Sequence, residues 1–191
     1  KIVAPKLYDY NFSKGFIIIE DFGDLSFYKI LIKTKNKFSV YKKLINELIK
    51  IQKIKPKSKL MGFKDKPYIL NKYSKKYLHL ESDLFFDWYL PLFLSKKKNK
   101  KIKVEGRKVL SKLYNKIFFP NAYFVHRDYH VQNLIKNKKN IGIIDSQDAI
   151  IGNPTYDLTS LINDVRVKTS NKLKNKIYEY YLQKTNKIHR L

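Results

Sequence analysis

FVHRDYHVQNLI, residues 124–135, sets His126, Arg127, Asp128, His130 and Asn133 at fixed spacing among Phe124, Val125, Leu134 and Ile135, which are residues of core type. Downstream, IGIIDS (141–146) reads as an apolar strand, and KNKKN (136–140) supplies a turn between the two. If NLI and GII pair antiparallel about a turn centred near Lys138, Asn133 falls opposite about Ile143, and Asp145 lies just past the pairing, near Val131. An amide oxygen and a carboxylate then converge at one end of a rigid two-stranded ribbon. Hard oxygen ligands of this kind suit Mg²⁺, which binds carboxylates, carbonyl oxygens and substrate phosphates.

Asp128, on the loop entering that ribbon, is placed to accept a proton from an attacking hydroxyl. His-Arg-Asp, an Asn five residues after the Asp, and an Asp on the next strand form the pattern of a phosphoryl-transfer loop. Such chemistry needs mainly alignment and charge neutralisation, so one base and two metal ligands account for the polar residues. A His-x-Asp pair alone recurs by chance, and a lone buried histidine is commonly a core residue; the joint pattern of His126, Asp128, Asn133 and Asp145 is the specific signal. For His130, contact with the transferring phosphate and a structural role remain equal readings.

Outward from this segment the chain reads as alternating elements. KIVAPKLYDYNFSKGFIIIEDFGD (1–24) is a strand, a turn at NFSKG and a second strand FIIIE. FSVYKKLINELIKIQKI (38–54) places Phe38, Tyr41, Leu44, Ile45, Leu48 and Ile49 at helical spacing, with Pro56 beyond its end. KPKSKLMGFKDKP (55–67) reads as a loop. YLHLESDLFFDWYLPLF (77–93) reads as a second helix bent near Pro91. SKKKNKKIK (95–103) reads as a solvated connector, and GRKVLSKLYNKIFF (106–119) as a third helix through Val109, Leu113 and Ile117. YDLTSLINDV (156–165) and NKLKNKIYEYYLQK (171–184) give two more. The expected class is α+β, dominated by helix.

The formal net charge of +25 raises nucleic acid or an acidic membrane surface as partners. Nearly all of it is lysine, since only Arg107, Arg127, Arg166 and Arg190 are arginine, the usual reader of bases and phosphates. The scattered lysines read as a solvated surface, and no nucleic-acid partner is expected. A basic binding module is the alternative, and a steep fall of binding with salt would mark it. Absence of cysteine excludes disulfides and thiolate metal sites. FIIIE and LFFDWYLPLFL are too short or too interrupted to span a bilayer, and nothing resembles a signal peptide. No membrane partner is expected, and a cytoplasmic location is the default.

VHRDYHVQNLI, IGIIDSQDAIIGNPTYDLTSLIND and FIIIEDFGD together resemble the aminoglycoside phosphotransferase and choline kinase superfamily. Within it, the resemblance is greatest to bacterial anomeric kinases of N-acetylmuramate and N-acetylglucosamine, which act in cell-wall sugar recycling. It extends over almost the whole chain, LESDLFFDWYL included, which is similar to the segment near the sugar site. The resemblance implies a protein-kinase-like fold, mainly its helical large lobe, with ATP and Mg²⁺ as cofactors and a small-molecule sugar as acceptor. By the same resemblance Asp128 is the catalytic base, Asn133 and Asp145 are the magnesium ligands, and His126 braces the metal-binding segment beside Arg127. The backbone around Ile19, Glu20 and Asp21 is the hinge that holds adenine. Asp157 ties down the catalytic loop, or is a carboxylate at a helix N-terminus favoured by the dipole. Glu81, Asp87 and Trp88 are candidates for the sugar pocket, although an amphipathic helix explains Trp88 equally.

Departures from the family pattern are Ser146, where it has phenylalanine, and the lack of a glycine-rich phosphate loop and of a lysine–glutamate pair upstream of the hinge. GFKDKP (62–67) falls after the hinge and does not qualify. The resemblance therefore implies an internal fragment: residues 1–21 as a small-lobe remnant with the hinge, 22–191 as a helical lobe shortened at its end, and no activity from this chain alone. Choline, an aminoglycoside or another alcohol as acceptor is the alternative, with Glu81, Asp83 and Asp87 as an acidic patch; an inactive kinase-like scaffold is another.

Overall fold

A computed structural model describes residues 1–62, 66–117 and 121–185. Its first unit is the expected hairpin, β1 (Leu7–Asn11) with β2 (Phe16–Ile19), paired antiparallel from Leu7↔Ile19 to Asn11↔Phe16. The turn closes because Asn11 Oδ1 accepts from Lys14 N (3.0 Å) and Gly15 takes φ +71°, a conformation open to a residue without Cβ. Chain on either side of the hairpin grips a second ribbon, β6 (Leu134–Asn137) and β7 (Asn140–Ile143). Ile143 N donates to Val3 O (2.9 Å), and Lys136 N donates to Leu25 O (2.8 Å). The Phe22 ring lies on the Cα of Gly142, leaving no room for a Cβ. Gly142→Ala is therefore expected to destabilise the protein by about 1–3 kcal/mol, the usual scale of overpacking; a thermal melt equal to the parent's would show that Phe22 moves aside freely.

The core forms around α2 (Lys37–Gln52), whose Val40, Tyr41, Leu44, Ile45, Leu48, Ile49 and Ile51 are all buried, as its spacing requires. Asn36 caps it, with Oδ1 accepting from Ser39 N (3.2 Å). Against it pack α5 (Thr155–Ile162), α6 (Asn171–Thr185) and β5 (Tyr123–Val125). Gln52 links them: its Nε2 donates to Pro154 O (2.7 Å) and its Oε1 accepts from Tyr181 Oη (2.8 Å). A short α1 (Phe27–Lys33), not read from the sequence, buries Phe27 and Leu31 in the same core.

Several segments differ from their sequence reading. Residues 55–67 are not wholly loop: β3 (Lys59–Met61) pairs with β4 (Pro67–Ile69), while residues 63–65 lie outside the described residues. SKKKNKKIK is not a connector but the opening of α4 (Lys96–Lys116). Lysine is a good helix former, nothing breaks the run, and Lys103 and Arg107 are drawn to Asp83 and Asp87 on the preceding helical segment. The stripe through Val109, Leu113 and Ile117 faces outward, at 67%, 50% and 39% exposure, and Tyr114 is the buried residue of α4. Residues 118–120 lie outside the described residues. The second predicted helix is α3 (Lys75–Leu84), which loosens into a π-turn at Phe85–Tyr89 and a 3₁₀ turn at Leu90–Leu92, where Pro91 sits.

β5 pairs with β8 (Ile150–Gly152), a long-range pairing, so the segment between β5 and β8 forms one closed excursion that contains the β6–β7 ribbon. Ribbon register is Leu134↔Ile143 and Asn137↔Asn140, with Lys138 at φ +52° in the turn. Asn133 therefore lies opposite Ile144, whose N–H donates to the Asn133 carbonyl (3.1 Å), one residue beyond the expected Ile143. A two-residue turn, rather than one centred on Lys138, produces the offset.

Candidate phosphotransfer site

The loop between β5 and β6 is pinned from four sides. Tyr129 is fully buried and its hydroxyl donates to Leu44 O (2.9 Å) on α2. Val131 N donates to Asp164 Oδ2 (3.1 Å), and Val131 O accepts from Tyr28 N (3.0 Å) on α1. His126 N and Arg127 N donate to the two oxygens of Asp157 (2.8 and 3.0 Å) on α5. Within the loop, the Asp128 carbonyl accepts from His130 N (2.8 Å) and from the Asn133 side-chain Nδ2 (3.1 Å). Asn133 thus uses its NH₂ to close the loop and keeps Oδ1 as an acceptor.

Two backbone positions are strained. Arg127 at φ +73° and Asp145 at φ +61° are L-residues in the left-handed region, which costs about 1–3 kcal/mol each and persists only where surroundings enforce it. Around Arg127 the enforcement is the Asp157 carboxyl. Next to Asp145 it is His126, whose Nε2–H donates to the Ile144 carbonyl (3.0 Å). Burial of the ring, which is 1% exposed, lowers its pKa, against the raising effect of its hydrogen bond to the Ile144 carbonyl. His130 Nε2 lies 3.4 Å from Asn133 Nδ2, which places the ring beside the loop-closing amide.

Burial also dominates at Asp157, which is 1% exposed; its carboxyl is pushed up to about 7, against the lowering effect of its two backbone N–H donors. Its place in the first turn of α5 suits the helix dipole, and the same carboxyl holds the loop, so both sequence readings of this residue describe contacts that are present. Tyr129 and Asp164 are loop anchors that sequence reasoning missed. Tyr129 reads as one more aromatic, and Asp164 lies 31 residues or more from the loop it supports, with only its polarity in LINDV (161–165) to mark it.

A cavity of about 590 Å³ adjoins the ribbon. Ile19, Glu20 and Asp21 line one side of it, and Ile144, Asp145 and Ser146 line the other. Glu20 N donates to Lys6 O (2.8 Å), and Asp21 Oδ1 accepts from Gly23 N (2.7 Å), so the segment after β2 is turned by its own side chains. The structure thus brings the expected hinge and one expected metal ligand to the same space. Glu81 lines a different cavity of about 580 Å³, with Tyr73, Asn153, Tyr156, Thr159 and Ser160. Asp87 and Trp88 do not line it: Asp87 is paired with Lys103 (2.7 Å), and Trp88 is 75% exposed on the π-turn.

Magnesium fits this donor set. Among the described residues no three His, Cys, Asp or Glu side chains gather into a metal cage. A Mg²⁺ ion carried with nucleotide phosphates needs only one or two protein oxygens, and Asn133 Oδ1 and the exposed Asp145 carboxylate stand on neighbouring ribbon positions.

The helices, the loop between β5 and β8 and the ribbon it contains together build a kinase-like fold shared with aminoglycoside phosphotransferases. The chain superposes on the ADP-bound aminoglycoside phosphotransferase APH(2'')-Ib with a TM-score of 0.62 at 19% identity, covering 98% of this chain and 62% of that one. On the gentamicin complex of APH(2")-IIa the TM-score is 0.63 at 18% identity, with the same coverage. By sequence, residues 108–190, the part that carries the loop and ribbon, match the phosphotransferase enzyme family. The chain is 28% identical over 164 residues to the N-acetylmuramate/N-acetylglucosamine kinase of Pseudomonas aeruginosa, and 29% identical to that of Pseudomonas putida. Each match covers 86% of this chain and 45% of the relative, so the chain spans about half the length of the curated relatives it matches. Among the described residues no helix is long and apolar enough to cross a membrane.

Proposed function

We propose that this chain is the catalytic-loop portion of an ATP- and Mg²⁺-dependent small-molecule kinase that phosphorylates a sugar, with the anomeric hydroxyl of N-acetylmuramate or N-acetylglucosamine as acceptor. The observation that carries the reading is the cavity shared by the residue 19–23 segment and Asp145, beside a ribbon whose other strand starts directly after Asn133. The backbone of Ile19, Glu20 and Asp21 would hold adenine, and Asn133 and Asp145 would hold the ion. When bound, Mg²⁺ neutralises charge on the β- and γ-phosphates. Asp128 takes the proton of the attacking hydroxyl as the new P–O bond forms and the bond to the ADP oxygen breaks. His126, Arg127 and Asp157 keep the loop in shape, and His130 lies beside the transferring group. Residues 1–21 carry the small-lobe hairpin and the hinge, residues 22–191 the helical lobe, and the enzyme works in the cytoplasm.

A neutral or anionic acceptor is favoured over a cationic one such as choline or an aminoglycoside. All three carboxylates of the acidic patch already have cationic partners: Glu81 has Arg127 (3.1 Å), Asp83 has Arg107 (3.4 Å), and Asp87 has Lys103 (2.7 Å).

Calorimetric titration with ATP, with and without Mg²⁺, tests the site directly. Binding is expected to need the metal and to fall by on the order of 10²-fold in Asp145→Ala, the scale on which losing one well-placed electrostatic contact acts. Unchanged binding by that variant would remove Asp145 from the metal site. An acceptor panel of N-acetylmuramate, N-acetylglucosamine, choline and an aminoglycoside, run on this chain and on a form completed with a relative's flanking segments, tests the substrate. Turnover confined to choline or the aminoglycoside would overturn the sugar assignment.

A further inference from the structure

We infer that Glu81 is a positioning residue of the catalytic loop, acting through Arg127, rather than a ligand of the acceptor. The inference rests on the phosphotransfer reading above. Arg127 directly precedes Asp128 and sits at φ +73°, a conformation that a residue with a Cβ adopts only under constraint. It is held at both ends: its N–H donates to Asp157 Oδ1 (3.0 Å) on α5, and its guanidinium NH2 donates to Glu81 Oε1 (3.1 Å) on α3. Releasing the side chain leaves the backbone grip to Asp157 alone, one residue from the proposed base.

Glu81 is committed to this task on both oxygens. Oε1 accepts from Arg127 and from Tyr156 Oη (3.2 Å), and Oε2 accepts from Tyr73 Oη (2.5 Å). These hydroxyls are themselves held, since the Tyr73 ring packs edge-on against Tyr156 (5.5 Å) and stacks on Tyr77 (5.9 Å). Burial pushes the Tyr156 phenol up to about 12 and raises Tyr73 further, so both remain donors at neutral pH. A carboxylate with three donors has little acceptor capacity left for a sugar hydroxyl. Because Glu81, Tyr73 and Tyr156 also line the 580 Å³ cavity, a molecule entering it meets the clamp and not a free carboxylate. The clamp makes α3 and the catalytic loop one mechanical unit.

The test uses the full chain and its completed form, with Glu81→Ala, the near-isosteric Glu81→Gln, Arg127→Ala, Arg127→Gly and the double variant Glu81→Ala/Arg127→Ala. Glu81→Ala is expected to lower kcat by on the order of 10²-fold, the cost of a misplaced reacting group, and to leave KM for ATP and for the acceptor unchanged. Glu81→Gln, which still accepts from Arg127, recovers most of that loss. The double variant is no slower than either single one, as expected of residues acting as a pair. Arg127→Gly, free of the Cβ at positive φ, is as slow as Arg127→Ala, which separates the clamp from backbone strain. In hydrogen exchange, the amides of residues 126–130 open faster in Glu81→Ala and in Glu81→Gln by a smaller factor, while those of α2 do not change.

A raised acceptor KM with unchanged kcat in Glu81→Ala would make Glu81 an acceptor ligand and overturn the inference. Additive losses in the double variant would do the same. If the unsubstituted protein binds no Mg·ATP and turns over no acceptor, the kinase reading fails by itself. Exchange at residues 126–130 then decides the clamp, which unchanged rates would overturn.

Discussion

Asp128→Ala is expected to lower turnover by about 10²–10⁴-fold, the range for loss of a positioned general base, in a protein that melts as the parent does and still binds Mg·ATP. That combination follows from how the loop uses this residue. Its backbone carbonyl takes two donors, His130 N and Asn133 Nδ2, which alanine retains. Among the described residues its carboxylate makes no hydrogen bond or ion pair, in contrast to Asp157 and Asp164, whose carboxylates each accept from one buried and one part-buried backbone N–H group. Half-buried in a loop held by so many other contacts, this carboxylate adds no hydrogen bond to the fold among the described residues, which supports the proposal that it meets an incoming group. Asp128→Asn sharpens the point, because it keeps the shape and removes only basicity. Normal turnover in either variant, in a form that turns over its acceptor, would end the assignment of Asp128.

The same contrast shows why the site was only partly legible. α2 was readable because seven buried residues recur at helical spacing and no neighbour contradicts them. The ribbon was readable because NLI and GII flank a polar turn, although spacing alone left its register uncertain by a residue, and the two-residue turn moved Asn133 from Ile143 to Ile144. β5 with β8 is a pairing across 25 or more residues between two three-residue strands, and such strands carry too little alternation to announce themselves. Lys96–Lys103 read as a connector because charge looked like solvation; the segment is indeed largely exposed, but it is helical, and Asp83 and Asp87, which meet it at Lys103, act from outside it. Glu81 is a sugar-pocket candidate in the sequence because LESDLFFDWYL (80–90) is similar to the segment near the sugar site. Nothing local in LESDLFF (80–86) says that Arg127, 46 residues on, would reach it.

Asp157→Ala is expected to cost roughly 2–4 kcal/mol, because it leaves the buried N–H of His126 and the part-buried N–H of Arg127 without acceptors. Alanine also frees Arg127 from the contact that holds it at φ +73°, so activity falls with stability. The wild-type carboxyl adds a pH dependence of known sign. In the folded protein its pKa is about 7, against an ordinary 3.8, so between those values the folded state binds more protons than the unfolded one. Stability from this group is full below about 4 and is lost as pH rises through 7, by on the order of a few kcal/mol. Asp157→Asn cannot titrate, so the stability difference between wild type and that variant is expected to shift against the wild type from pH 4 to 7 in denaturant melts. A shift toward the wild type over that interval would mean that the two amide donors outweigh burial and that Asp157 is ionised throughout. In that case the loop is held by a charge, and Asp157→Asn should then cost more at pH 7 than at pH 4.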